Sequence, residues 1–156
     1  MLPPLFKKII QFLDSFPEIG PRQAWRLFFW LIKQDDKFKN SFVEGLKVLI
    51  ENLRFCKDCN FPVINSELCE ICSDEKRDKS ILCVLARETD LITIENLKKY
   101  RGVYFVIGGL LLPFEEKDYI KRNLAKLQER LEKDKKIKEV IIALPVSYTH
   151  LTLPTN

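Results

Sequence analysis

Residues 56–72 read CKDCNFPVINSELCEIC, which places Cys56, Cys59, Cys69 and Cys72 in the spacing C-x2-C-x9-C-x2-C. Two C-x-x-C knuckles joined by a short loop supply four soft donors on a tetrahedron, and zinc takes such a set at about 2.3 Å per bond. So short a stretch buries too little to hold itself in shape, so a bound metal is expected to be its main source of order. Four thiolates leave no open coordination position for water, and the zinc is read as structural. The competing reading is a pair of disulfides, which needs an oxidising compartment. The opening MLPPLFKKIIQFLD mixes apolar and charged residues without a small-residue cleavage site. A reduced, cytoplasmic chain is therefore expected, and that favours metal.

Upstream of the cysteines the pattern is helical. Leu5, Ile9, Phe12 and Leu13 recur at helical spacing over residues 4–14. Phe16-Pro17-Glu18-Ile19-Gly20-Pro21 reads as a tight turn. In it Gly20 is expected to take positive φ, and Pro21 to open the next helix. That helix carries Ala24, Leu27, Phe28 and Leu31 and should end near Lys33. A third helix, from about Asp36 to Leu53, has the stripe Phe38, Phe42, Leu46, Leu49 and Leu53. Residues 1–55 are thus expected to be one helical unit, followed by a ribbon over 56–79.

Downstream the periodicity changes. Ile81 to Leu85 is a continuous apolar run suited to a buried parallel strand, and Cys83 inside it reads as an inert buried thiol. A helix over Thr89–Lys99, a strand over Val103–Ile107, a charged helix from about Glu115 to Lys133 and a strand over Lys138–Leu144 follow. Strand, helix, strand, helix, strand implies a parallel sheet with right-handed crossovers. The fold class is therefore α+β in several parts, with a small α/β domain over 80–144. The polar face of the charged helix is nearly balanced in sign and reads as a solvated surface.

Composition sets the outer limits. Hydrophobic residues make up 46% and charged residues 31%, as in a well-packed soluble chain, and the net charge of +4 permits a nucleic-acid partner without demanding one. The longest apolar run, Val103 to Leu112, is too short to span a membrane and holds two glycines. Residues 145–156, PVSYTHLTLPTN, contain no Lys, Arg, Asp or Glu. The string VSYTHLTLPT resembles the translation of a sequencing-library adapter, so a non-native tail after Leu144 is expected and no function is assigned to His150.

Taken in order, these segments resemble the bacterial RecR family of recombination mediators. Pro17 to Ala24 is similar to that family's helix-hairpin-helix, and Cys56 to Cys72 to its zinc ribbon. Residues 80–95, SILCVLARETDLITIE, are similar to the opening of its Toprim domain, and residues 100–113, YRGVYFVIGGLLLP, to a further segment of it. The resemblance implies a ring-shaped homo-oligomeric clamp around DNA. Working with RecO- and RecF-type partners, such a clamp loads recombinase at single-stranded gaps and performs no covalent chemistry. Arg22 and Arg26 match basic positions of the family's hairpin helix; one turn apart, they share a face and are the candidate contacts to DNA phosphates.

Three departures from the family pattern stand out. Glu18 replaces the first hairpin glycine, which puts a carboxylate where phosphate would approach. Ala86 stands where the first Toprim strand ends in glutamate, so the carboxylate that binds magnesium or moves protons in catalytic Toprim enzymes is missing. Glu88, two residues on, is read as a helix-capping acid. The family's C-terminal portion after the third strand is absent as well. Two other classes stay in view: a zinc-stapled protein-protein adaptor, favoured by Glu18, and a magnesium-dependent Toprim enzyme, disfavoured by Ala86.

Overall fold

The structure, a computed structural model, describes residues 2–109 and 118–145. Residues 110–117 and the expected non-native tail from 146, with His150, lie outside the described residues. The chain divides into two compact units, residues 1–51 and 52–156.

The first unit is built from α1 (Pro4–Asp14), α2 (Pro21–Ile32) and α3 (Asp36–Asn52). Prolines open α1 and α2 at positions whose amide would have no helical partner. Ser15 closes α1, its hydroxyl donating to the Phe12 carbonyl at 2.7 Å. Ile10, Ala24 and Phe28 form a small core with Phe6, Ile9, Leu13, Ile19 and Trp25 around it. Ala24 is completely buried, and its small side chain lets α1 and α2 approach closely. Asp35 caps α3 by accepting the Phe38 amide at 2.6 Å. No residue of α3 is buried, and Phe38, Phe42, Leu46 and Leu49 along it stay exposed.

The turn between α1 and α2 corrects one expectation. Gly20 is extended, with φ −91° and ψ 175°, and serves as the N-cap of α2. The left-handed residue is Glu18, at φ 65°. The chain reverses two residues earlier than expected, and the reversal falls on a residue with a Cβ. That conformation costs about 1–2 kcal/mol for an ordinary L-residue.

In the second unit, β1 (Leu53–Phe55) and β2 (Pro62–Ile64) pair antiparallel, and α4 (Glu70–Ser73) is a single turn. Residues 53–55, expected at the end of the helical unit, are thus strand. The parallel strands β3 (Asp78–Leu85), β4 (Gly102–Val106) and β5 (Glu139–Ala143) lie in the order β4-β3-β5, with helices α5 (Glu88–Asn96) and α6 (Asp118–Lys133) between them in the chain. Strand alternation sorts the core into two layers. Leu82, Val84, Val103, Phe105 and Ile107 pack with Ile120 of α6 on one face. Cys83, Leu85, Tyr104 and Val106 pack with Leu91 of α5 on the other, joined by Phe61 and Ile71. Cys83 is buried among them, and desolvation pushes its thiol up, in keeping with an inert role.

The β3–β4 pairing shifts register between Asp78 and Leu82, and the Tyr100 hydroxyl fills the irregularity beside the Ile81 and Val103 carbonyls, 3.2 Å from each. Gly102 is required there, because a Cβ would meet the Tyr100 hydroxyl at 2.3 Å and the Ile81 carbonyl oxygen at 2.5 Å. The strand β5 is the weakly covered edge, with Ile142 71% exposed.

Candidate functional site

Sharp backbone turns bring the four cysteines together. The Cys56 amide donates to the Phe61 carbonyl and the Asn60 amide to the Cys56 carbonyl, both at 2.8 Å, with Asn60 left-handed at φ 62°. This folds the first knuckle back on itself. In the second knuckle Cys69 caps α4, its sulfur accepting the Cys72 amide at 3.4 Å, while the Cys69 amide donates to Cys56 Sγ at 3.3 Å. Such N–H donors stabilise thiolate.

All four Sγ atoms lie within 4.8 Å of one another and all four residues are buried. A zinc–sulfur tetrahedron with bonds of about 2.3 Å needs sulfur separations of about 3.8 Å. The Cys59–Cys69 sulfurs stand 3.4 Å apart, far beyond a disulfide bond, and all four thiols are free. The set fits a tetrahedral ion. Hydrogen bonds from Cys59, Cys69 and Cys72 hold the Cys56 thiol far below its ordinary range, while Cys56, Cys59 and Cys69 push Cys72 far above it. So close a group cannot hold four negative charges unless a cation sits among them.

Hydrogen bonds tie the ribbon to the sheet. The Val106 amide donates to the Cys59 carbonyl at 2.9 Å, and Asn60 Nδ2 to the Val106 carbonyl at 3.1 Å, so the first knuckle extends the end of β4. Arg130 of α6 donates to the Asp58 and Tyr104 carbonyls. Phe61 and Ile71 belong both to the shell around the cysteines and to one layer of the sheet core.

A second tie uses Arg77, just before β3. Its guanidinium engages both oxygens of Glu95, and Glu95 accepts the Tyr104 hydroxyl at 2.9 Å. The Arg77 side chain is only 13% exposed. Arg77, followed by the Tyr104 hydroxyl, holds the Glu95 carboxyl below the usual carboxylate range. No local pattern announces this cluster, because its members come from three separate segments.

Arg22 and Arg26 are both exposed on α2, one turn apart. Arg26 edges an apolar groove with Ile19, Trp25, Phe29, Trp30 and Lys33. Ala86 is fully buried at the end of β3, where its carbonyl accepts the Gly108 amide at 2.9 Å. Glu88 is the first residue of α5, where the helix dipole favours an acid, although the cap itself is made by Asp90 accepting the Arg87 amide at 3.1 Å. Among the described residues no helix is long and apolar enough to cross a membrane.

A family model described as a Toprim domain matches residues 80–145. The chain is 36% identical over 138 residues to the recombination protein RecR of Bifidobacterium adolescentis, covering 88% of this chain and 68% of that protein. It is 39% identical over 132 residues to RecR of Cytophaga hutchinsonii, covering 85% and 64%, and 36% identical over 140 residues to RecR of Prochlorococcus marinus, covering 90% and 69%. The match thus spans about two thirds of these relatives' own length. Hairpin turn, four-cysteine cluster and parallel Toprim sheet occur together in one chain with that degree of identity, and the chain belongs to the RecR family.

Proposed function

We propose that the chain is a subunit of a non-enzymatic DNA-binding clamp of recombinational repair. It acts in the cytoplasm with RecO- and RecF-type partners to load recombinase at single-stranded gaps. Membership of the RecR family carries this reading. Ala86 supports the absence of catalysis, since an alanine at the end of β3 can neither hold magnesium nor transfer a proton. Zn2+ bound by Cys56, Cys59, Cys69 and Cys72 is structural, locking the knuckles from which Asn60 and Phe61 reach the sheet. Homo-oligomer formation is supported by α3, a 17-residue helix that buries no side chain. Apolar stripes of this kind are normally covered.

Arg22 and Arg26 take the DNA backbone in this reading. The test is salt-dependent binding of gapped DNA by the wild type and by Arg22→Ala/Arg26→Ala. Weaker binding by the double variant, with a log–log salt slope shallower by up to about two, is expected. Equal binding by both proteins, or none by either at any salt, removes the arginine assignment. A second reading, the zinc-stapled adaptor that binds only proteins, is favoured by Glu18, whose exposed carboxylate sits at the turn preceding α2. Absence of DNA binding at low salt by a zinc-loaded chain would select it.

A further inference from the structure

We propose that the cleft at the carboxyl ends of β3 and β4 is a subsite for a stretch of single-stranded DNA, with Arg122 and Lys126 on its phosphates and Phe55 against a base. The inference rests on the DNA-binding reading but uses a different unit of the chain. The cleft encloses about 480 Å³ and is lined among others by Phe55, Asn60, Glu88, Tyr119, Arg122 and Lys126. Its place in the sheet is where open α/β folds take ligands. With alanine at position 86, Glu88 is the one acidic residue lining it among the described residues, against two cations.

The cations are set by the fold. Asn60 is only 5% exposed and its Nδ2 is committed to the Val106 carbonyl. Its Oδ1 is thereby turned toward Lys126, whose Nζ lies 3.5 Å away. Asn123 donates to the Ile107 carbonyl at 2.8 Å and fixes this turn of α6 against the end of the sheet. Arg122, four residues before Lys126, shares its helix face and makes no hydrogen bond or ion pair among the described residues. Two aromatic faces flank the pair, Phe55 at 53% and Tyr119 at 41% exposure. Cations beside open aromatic rings are the pairing that takes phosphates and unpaired bases together.

The shape selects a strand over a free nucleotide. A second cleft shares Phe55 and Lys126 and continues along α6 to Lys133. From Arg122 to Lys133 the helix advances about 16 Å, the length of several stacked nucleotides. The further cations of that second stretch are spoken for: Lys133 pairs with Glu129, Lys57 with Glu67 at 2.9 Å, and Arg130 with backbone carbonyls. Phosphate capture therefore falls to the Arg122 end. A duplex keeps its bases stacked inside and leaves Phe55 without a base to meet.

The experiment is anisotropy of a labelled oligothymidylate of about ten nucleotides, titrated with the zinc-loaded full chain across a salt series. Arg122→Ala/Lys126→Ala is expected to bind at least about tenfold more weakly, with a slope shallower by about 1.4, from about 0.7 per phosphate. Phe55→Ala is expected to bind at least about fivefold more weakly at unchanged slope, which separates stacking from charge. Unchanged zinc content and melting temperature certify the variants, and Arg122→Gln alone, with half the slope loss, serves if the double variant misfolds. Binding by the Arg122/Lys126 variant equal to wild type overturns the inference. So does displacement of the oligonucleotide by thymidine monophosphate or inorganic phosphate at matched phosphate concentration, which would mark a free-phosphate site. Arg22→Ala/Arg26→Ala is run in parallel: weaker binding by that variant together with wild-type binding by Arg122→Ala/Lys126→Ala defeats this inference alone, and the converse pattern defeats only the hairpin assignment.

Discussion

The two units of this chain solve the problem of small size in opposite ways. The helical unit has one core of three buried side chains, Ile10, Ala24 and Phe28, and leaves Phe29, Trp30, Phe38 and Phe42 exposed. The ribbon–sheet unit is cross-tied: a cysteine cluster, an Arg77–Glu95–Tyr104 cluster and two core layers share Phe61, Ile71 and Tyr104. A surface left apolar is suited to a partner, whereas a surface tied by fixed polar bonds is suited to hold side chains in place. The comparison teaches that in this chain rigidity and association are assigned to different units.

The largest effect expected on that contrast comes from the metal. Cys56→Ser, or removal of zinc by a chelator, should take the ion from one per chain to none and disorder the ribbon, since structural zinc contributes on the order of 10 kcal/mol in small domains. Metal analysis with hydrogen exchange reads it: protection should be lost over the ribbon and at the end of β4, while α1 and α2 keep theirs. A metal-free protein with unchanged protection would break the contrast.

Next comes the Arg77 tie. Arg77→Ala leaves a partly buried carboxylate without its partner and should destabilise the second unit by about 3 kcal/mol in chemical unfolding. Glu95 has a lowered pKa, so its contribution is present above the ordinary glutamate value of 4.5 and is lost as pH falls through the lower folded value. Unfolding followed downward from pH 5 should therefore show a steeper acid loss for the wild type than for Glu95→Gln. Parallel curves would mean that the tie is structural packing without an ionic part.

The smallest effect sits in the helical unit. Glu18→Gly relieves the left-handed backbone, worth about 1–2 kcal/mol, against the extra chain entropy of glycine, about 0.5–1 kcal/mol. A net gain of about 0.5–1 kcal/mol in unfolding free energy is expected. Loss of stability instead would show that the Glu18 side chain makes a compensating interaction.

Much of the fold was legible because its signals are local. C-x2-C-x9-C-x2-C, the proline at position 21, and the apolar runs at 81–85 and 103–107 each act within a few residues, through metal geometry, a fixed φ and side-chain alternation. The exchange between Gly20 and Glu18 was not legible: which residue takes positive φ depends on how α1 and α2 close over Ala24. The reading of α6 as an ordinary solvated helix held only as a count of charges. Its Arg122, Lys126 and Arg130 are brought beside residues 55–60 by folding, and a charge tally carries no direction.

By itself the sequence determined the four-cysteine set that could hold a metal and the order of the main helices and the three parallel strands, because each follows from residue type and near spacing; the alanine at position 86 stood out through the family resemblance. Only the tertiary structure decided that the ribbon is one body with the sheet, that Arg77 reaches Glu95, and that Asn60 turns toward Lys126. Those are contacts between segments 18 to 72 residues apart. Which distant groups meet is set by how the layers pack, and no local pattern records it.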